Sequence, residues 1–211
     1  MKGISLSARF GFQMAQTWRD SVWRNAPWSL HIVDYTNGQN GCRATELGMT
    51  YQLSEFENVR KRVHDLGCEL SEGIVLLPAN FLSAASASAF QRRPEAVPLK
   101  ALLRLHDVPV DEIATKTRQG YAHQNASEWI PPPLFIPASL ISKSSGIVFG
   151  ALTVLKTHLK DVIKRATGAT TVKLEIIVER PADFRCRKIC YAGDVKGIVV
   201  LINVIGEISA A

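Results

Sequence analysis

The 211-residue chain holds only four cysteines, no leader-like apolar stretch at its start, and no apolar run that matches a membrane helix. Cys42, Cys68, Cys186 and Cys190 are widely scattered and form no C-x-x-C pair, which excludes a disulfide scaffold and a paired-cysteine zinc knuckle. The longest apolar runs, 146–155 and 198–205, are about half of the roughly 20 residues that a bilayer span requires. These absences predict a reduced, cytoplasmic protein without a membrane span. Catalytic signatures are missing too. There is no G-x-S-x-G elbow, no G-x-x-x-x-G-K loop and no G-x-G-x-x-G fingerprint. A serine hydrolase of the elbow type, a P-loop nucleotidase and a Rossmann dinucleotide enzyme are set aside on those grounds, and no cofactor is predicted.

What the chain does contain is a large apolar fraction, 46%, enough to bury a full core in about one domain. Its formal charge of +6 permits attraction to nucleic acid or to an acidic protein. The basic residues fall in small groups without interleaved aromatics, as solvated faces do. Arg60, Arg62, Lys160 and Lys164 are the residues through which nucleic acid would be held.

Residues 1–28 carry Trp18, Trp23 and Trp28 and end at Pro27-Trp28, which predicts a short aromatic arm ahead of a single α/β domain at 29–211. Alternation over 29–35 predicts a strand, and Asn37-Gly38 and Asn40-Gly41 predict turns. Ser54-Glu55-Phe56-Glu57 has capping-box spacing, so a helix is expected from Ser54 to its stop at Gly67. The continuous apolar run 73–77 ending at Pro78 reads as a strand buried on both faces. Strand, helix and strand in that order predict a parallel crossover and a mostly parallel sheet in the amino-terminal half. Ligands of such sheets favour loops after strand carboxyl ends, here the loop after Tyr35 and Pro78-Ala79-Asn80-Phe81.

Pro131-Pro132-Pro133 predicts a loop or linker over 120–137, with a sub-boundary near 120–140. Beyond it, the pattern predicts a helix after Ser144-Ser145-Gly146, a strand over 171–179 and a hairpin partner over 184–191, while 195–208 reads two ways: its spacing, with Asp194 as a cap, favours a helix, and its Val and Ile content favours a strand. The helical reading is preferred, and the carboxyl-terminal unit is expected to run helix, strand, strand, helix.

Three constellations carry chemistry worth testing. His64-Asp65 and His106-Asp107 have a metal-phosphohydrolase look, but such sites sit on all-helical scaffolds, and no metal site is predicted. Asp183, Asp194 and Lys196 resemble the clustered acids and lysine of a metal-dependent nuclease or phosphoesterase. Cys186 lies between Arg185 and Arg187, yet on an alternating strand it points away from both, as a packed core thiol would.

The segments Leu76-Leu77-Pro78-Ala79-Asn80-Phe81, Trp129-Ile130-Pro131-Pro132, 172–179 and Tyr191-Ala192-Gly193-Asp194 resemble a loose group of small uncharacterised bacterial α/β proteins. Proteins of that type resemble accessory parts of conflict or antiviral defence loci; the resemblance implies a bacterial cytoplasmic protein and supplies no site residues. The expected function is that of a non-catalytic interaction or accessory protein. Its partner would be a larger protein docked through Trp18, Trp23 and Trp28, because tryptophan concentrates binding energy at interfaces.

Overall fold

The computed structural model describes residues 33–35, 42–45, 49–113, 120–121, 131–165 and 172–210. The aromatic arm with Trp18, Trp23 and Trp28, the turns at 37–41 and Trp129-Ile130 lie outside the described residues. Ten strands and four α-helices are described. They are β1 (Val33–Tyr35), β2 (Cys42–Thr45), β3 (Met49–Phe56), α1 (Val59–Asp65), β4 (Ile74–Leu76), β5 (Gln91–Arg92), α2 (Ala96–Leu105), β6 (Val110–Glu112), β7 (Gly120–Tyr121), β8 (Leu134–Ile136), α3 (Ala138–Arg165), β9 (Val172–Glu179), β10 (Cys186–Gly193) and α4 (Ile198–Ala210). Ile32–Ala211 form one compact unit.

The protein is α/β, built on a mixed sheet in the order β1-β2-β3-β10-β9-β8-β4-β6, and β5 pairs with β7 apart from it. Only β8–β9 and β4–β6 are parallel pairs within this sheet; the other neighbours are antiparallel. Both parallel pairs are closed by a helix, α3 between β8 and β9 and α2 between β4 and β6. The two crossovers start from antiparallel neighbours and step in opposite directions along the sheet. A common right-handed sense therefore puts α2 and α3 on the same face, and that is where both pack, with α4 beside them.

The expectation of a mostly parallel amino-terminal half is corrected. Through the chain of pairings, β1 and β3 both run opposite to β4, so no parallel crossover joins them. The capping-box reading of Ser54 fails for the same region. Residues 49–56 form β3, where Tyr51 and Leu53 turn toward the core and the strand pairs with β10 along seven residues. The helix begins at Val59 instead, capped by Asn58, whose Oδ1 accepts from Lys61 N at 2.9 Å. Its other end was foreseen: Gly67, at φ +66°, takes the left-handed position.

Strand β8 replaces part of the expected linker. Its three residues follow Pro133 directly, are fully buried, and pair on both sides, with β4 and β9. The chain on either side of 131–137 thus belongs to one sheet. Helix α3 starts at Ala138, with a non-helical Ser144 marking the break where a helix start was expected. Within α3, Ala138–Asp161 has mean hydropathy 1.5 and is, among the described residues, the one helix long and apolar enough to cross a membrane. Val148, Ala151, Leu152, Leu155 and Leu159 from this stretch belong to the core, and 33% of its apolar window is buried.

Strand β9 alternates as its sequence implies: Val172, Leu174, Ile176 and Val178 meet α2, α3 and α4. The hairpin with β10 forms in full register, and 198–210 is helical, preceded by a tight turn in which Asp194 accepts from Lys196 N at 2.7 Å. On the other face, Val59 and Val63 of α1 pack with Val75, Leu77, Phe135, Ile177 and Cys186. Gly73 enters β4 where only a glycine fits, since a Cβ there would lie 2.5 Å from Pro109 O.

Candidate functional site

The chain between β4 and β5 folds back over the second face of the sheet and is tied to it at many points. Asn80 bridges the two ends of the excursion, donating to Ala89 O and accepting from Gln91 N, both at 2.8 Å. Arg62, reaching out from α1, donates to Phe81 O at 2.8 Å, Leu82 O at 2.6 Å and Ala84 O at 3.0 Å. Its guanidinium also lies 5.8 Å from the Phe81 ring centre and 3.5 Å from Glu57. Phe81 stacks between Phe56 and Phe90, with centroids 6.4 and 6.3 Å away. Main-chain carbonyls that a loop would otherwise leave to water are thus satisfied by one planar fork.

Beside this loop opens a cleft of about 170 Å³, walled by Phe56, Leu77, Pro78, Phe81, Leu82, Pro133 and Ile177. Two charges enter it from neighbouring strands. Lys188 Nζ stands 4.0 Å from Glu175 Oε1 and 6.0 Å from the Phe56 ring centre. Leu82, on the lip, is 48% exposed. A cleft of mixed lining, in which Asn80, Ser83, Lys188 and Glu175 stand beside the apolar side chains, suits an apolar side chain whose flanking groups are polar or charged.

The stretch Pro78-Ala79-Asn80-Phe81, singled out as a loop after a strand end, does line the cleft. Lys188, Glu175, Phe56 and Leu82 were not foreseen. They come from β10, β9, β3 and the loop, and only the pairing of those strands brings them together.

Asp183 sits in the turn before β10 and Asp194 follows its last residue. An eight-residue strand separates them, about 23 Å at a rise near 3.3 Å per residue. Asp183, Asp194 and Lys196 therefore do not converge. Asp183 accepts from Arg180 Nε at 3.0 Å, from Arg180 Nη2, and from Arg185 N at 3.1 Å, and the Arg180 guanidinium holds its carboxyl below the usual range. Lys196 is exposed.

Arg60 and Arg62 are both engaged within the fold. Arg60 Nε donates at 2.7 Å to Glu179, a carboxylate with 0% exposure whose other oxygen accepts from Ala138 N at 2.9 Å. Lys160 is exposed on α3, across the sheet from both arginines, and the Lys164 side chain lies outside the described residues. These cations do not share a face. His64 is an exposed residue in the last turn of α1, and His106 follows α2. Among the described residues, no three His, Cys, Asp or Glu side chains are grouped to hold a metal.

Cys186 is fully buried, and burial pushes its thiol up to about 11. Burial also raises the Cys190 thiol, although nearby Lys188 pulls it down. Neither setting generates a thiolate nucleophile at neutral pH.

No family model, no curated protein and no solved structure matches this chain.

Proposed function

We propose that the protein is a non-catalytic accessory module that docks on a larger protein partner, and that the cleft beside Leu82 is one place where the partner is held. A single observation carries this reading: Arg62 locks the carbonyls of Phe81, Leu82 and Ala84, so the apolar lip is held in place before anything binds. A preorganised apolar lip loses little conformational freedom on association, and such positions concentrate binding energy. Use of Arg60 and Arg62 inside the fold weighs against a nucleic-acid surface on α1. Separation of Asp183 from Asp194 weighs against phosphodiester hydrolysis. The aromatic arm remains a second contact of the same proposal. A role in bacterial defence rests on the resemblance of its sequence segments alone.

The test is recovery of the tagged full-length chain from its native cell, as wild type and as Leu82→Asp, with protein stoichiometry and absorbance at 260 nm measured on each complex. The reading expects a stoichiometric protein partner with the wild type, lost with Leu82→Asp while the melting temperature stays within about 2 °C. A complex rich in nucleic acid that dissolves steeply with salt would replace it with the nucleic-acid reading.

A further inference from the structure

The turn between β9 and β10 carries a bulky, exposed aromatic residue in a backbone conformation that costs stability. Phe184 has φ +55°, a left-handed conformation that glycine or asparagine adopts readily and a bulky aromatic does not. A core residue could offset that cost by burial, but Phe184 is 54% exposed. Its backbone, by contrast, is firmly held: Phe184 N donates to Arg180 O at 3.0 Å, and Phe184 O accepts from Asn58 Nδ2 at 3.2 Å. Asp183 ties Arg180 to the main chain at Arg185. The result is an aromatic ring presented to solvent on a rigid, strained turn.

Charge narrows what could receive it. Arg185, next in sequence, is 71% exposed, and its nearest carboxylate, 3.5 Å away on Asp183, already serves Arg180. We infer that the turn is a docking anchor, with Phe184 entering an apolar pocket of a protein partner whose rim offers a carboxylate to Arg185. Rigid aromatics beside an arginine are the pattern of interface hot spots. Strain persists at turns where the presented side chain has a use. The inference rests on the interaction reading above and adds a second contact, on the turn between β9 and β10, formed by none of the cleft residues.

The experiment uses the full-length chain as wild type, Phe184→Gly, Phe184→Trp, Arg185→Glu and Leu82→Asp, and the probe is the protein that co-purifies with the wild type at fixed stoichiometry. Phe184→Gly is expected to melt at the wild-type temperature or about 3 °C above it, yet to bind that partner about 100-fold more weakly. Phe184→Trp should retain binding, and Arg185→Glu should lose it without change in melting. Retained affinity in Phe184→Gly overturns the inference, as does a clear fall in its melting temperature, which would make the ring part of the core. If Leu82→Asp loses the partner while Phe184→Gly keeps it, the turn alone is excluded. Recovery of no stoichiometric protein overturns both readings. A wild-type dimer that Phe184→Gly converts to monomer would make the occupant a second copy and overturn the assignment to a different protein.

Discussion

On the face of the sheet that carries Leu174, Ile176 and Val178, three helices pack. On the opposite face, the same strand offers Ile177 and Glu179 to a seven-residue helix and a loop. The first face is closed chiefly by apolar side chains drawn at helical spacing from α2, α3 and α4, with Arg104 and Lys100 of α2 adding polar ties to β6. The second is finished with polar clamps. Arg62 holds the loop carbonyls, Asn80 bridges the loop ends, and Glu179 joins α1 to the first turn of α3 through Arg60 and Ala138 N. A face closed by a loop keeps a cleft, and here it keeps one lined by both signs of charge.

Adjacent residues on β9 put this contrast to its sharpest test, because Ile176 and Ile177 both have 0% exposure but point to opposite faces. Truncation to alanine is expected to cost about 2–5 kcal/mol at either position. Ile176→Ala should sit at the upper end, since rigid helices cannot collapse into the void, and Ile177→Ala lower, because the loop can settle. Urea unfolding of the two variants measures this; a larger loss at Ile177 would mean that the clamped loop is as unyielding as the helices.

Removing the carboxylate clamp comes next in size. Glu179→Ala leaves Ala138 N without its acceptor and Arg60 without its partner, and is expected to cost about 3 kcal/mol. Glu179→Gln, which keeps an acceptor for Ala138 N, should recover part of that loss. Equal stability of the two variants would show that the buried charge itself, and not the hydrogen bond to the start of α3, is what matters.

The smallest effect is one of pH. Asp183 has a carboxyl pKa lowered in the folded state by Arg180, so its contribution is present above the unfolded value near 3.9 and disappears as the pH falls through the lower folded value. Asp183→Asn should therefore lower stability at pH 6 and converge with wild type near pH 2. Denaturant midpoints across that window check the sign, and a difference that persists at pH 2 would assign the effect to turn geometry.

Where period and run length were strong, the elements were legible. The alternation of 172–179, the continuous apolar run of 73–77 and the stop at Gly67 each follow from geometry that acts within a few residues, whereas at 195–208 helical spacing competed with a strand-favouring Val and Ile content, and the structure decides for the helix. Two strands were hidden. The polar residues of β3 place Ser54 and Glu57 at capping-box spacing, and only pairing with β10 decides that the strand continues through them. Strand β8 is three residues long behind three prolines, and its place between β4 and β9 is what makes it a strand. The cleft was half legible, through the loop after β4, because a loop after a strand end is a local signal. Lys188 and Glu175 were not, because their partners are elsewhere in the chain.

Local sequence thus determined which segments would be apolar strands and helices, where α1 would stop, and that the fold would be α/β, because backbone geometry and side-chain period act within a few residues. Tertiary structure alone decided strand direction, the use of Arg60 and Arg62 as internal clamps, and the wide separation of Asp183 from Asp194. Those outcomes depend on which strands hydrogen-bond to one another, and that choice is made by burying both faces of the sheet at once.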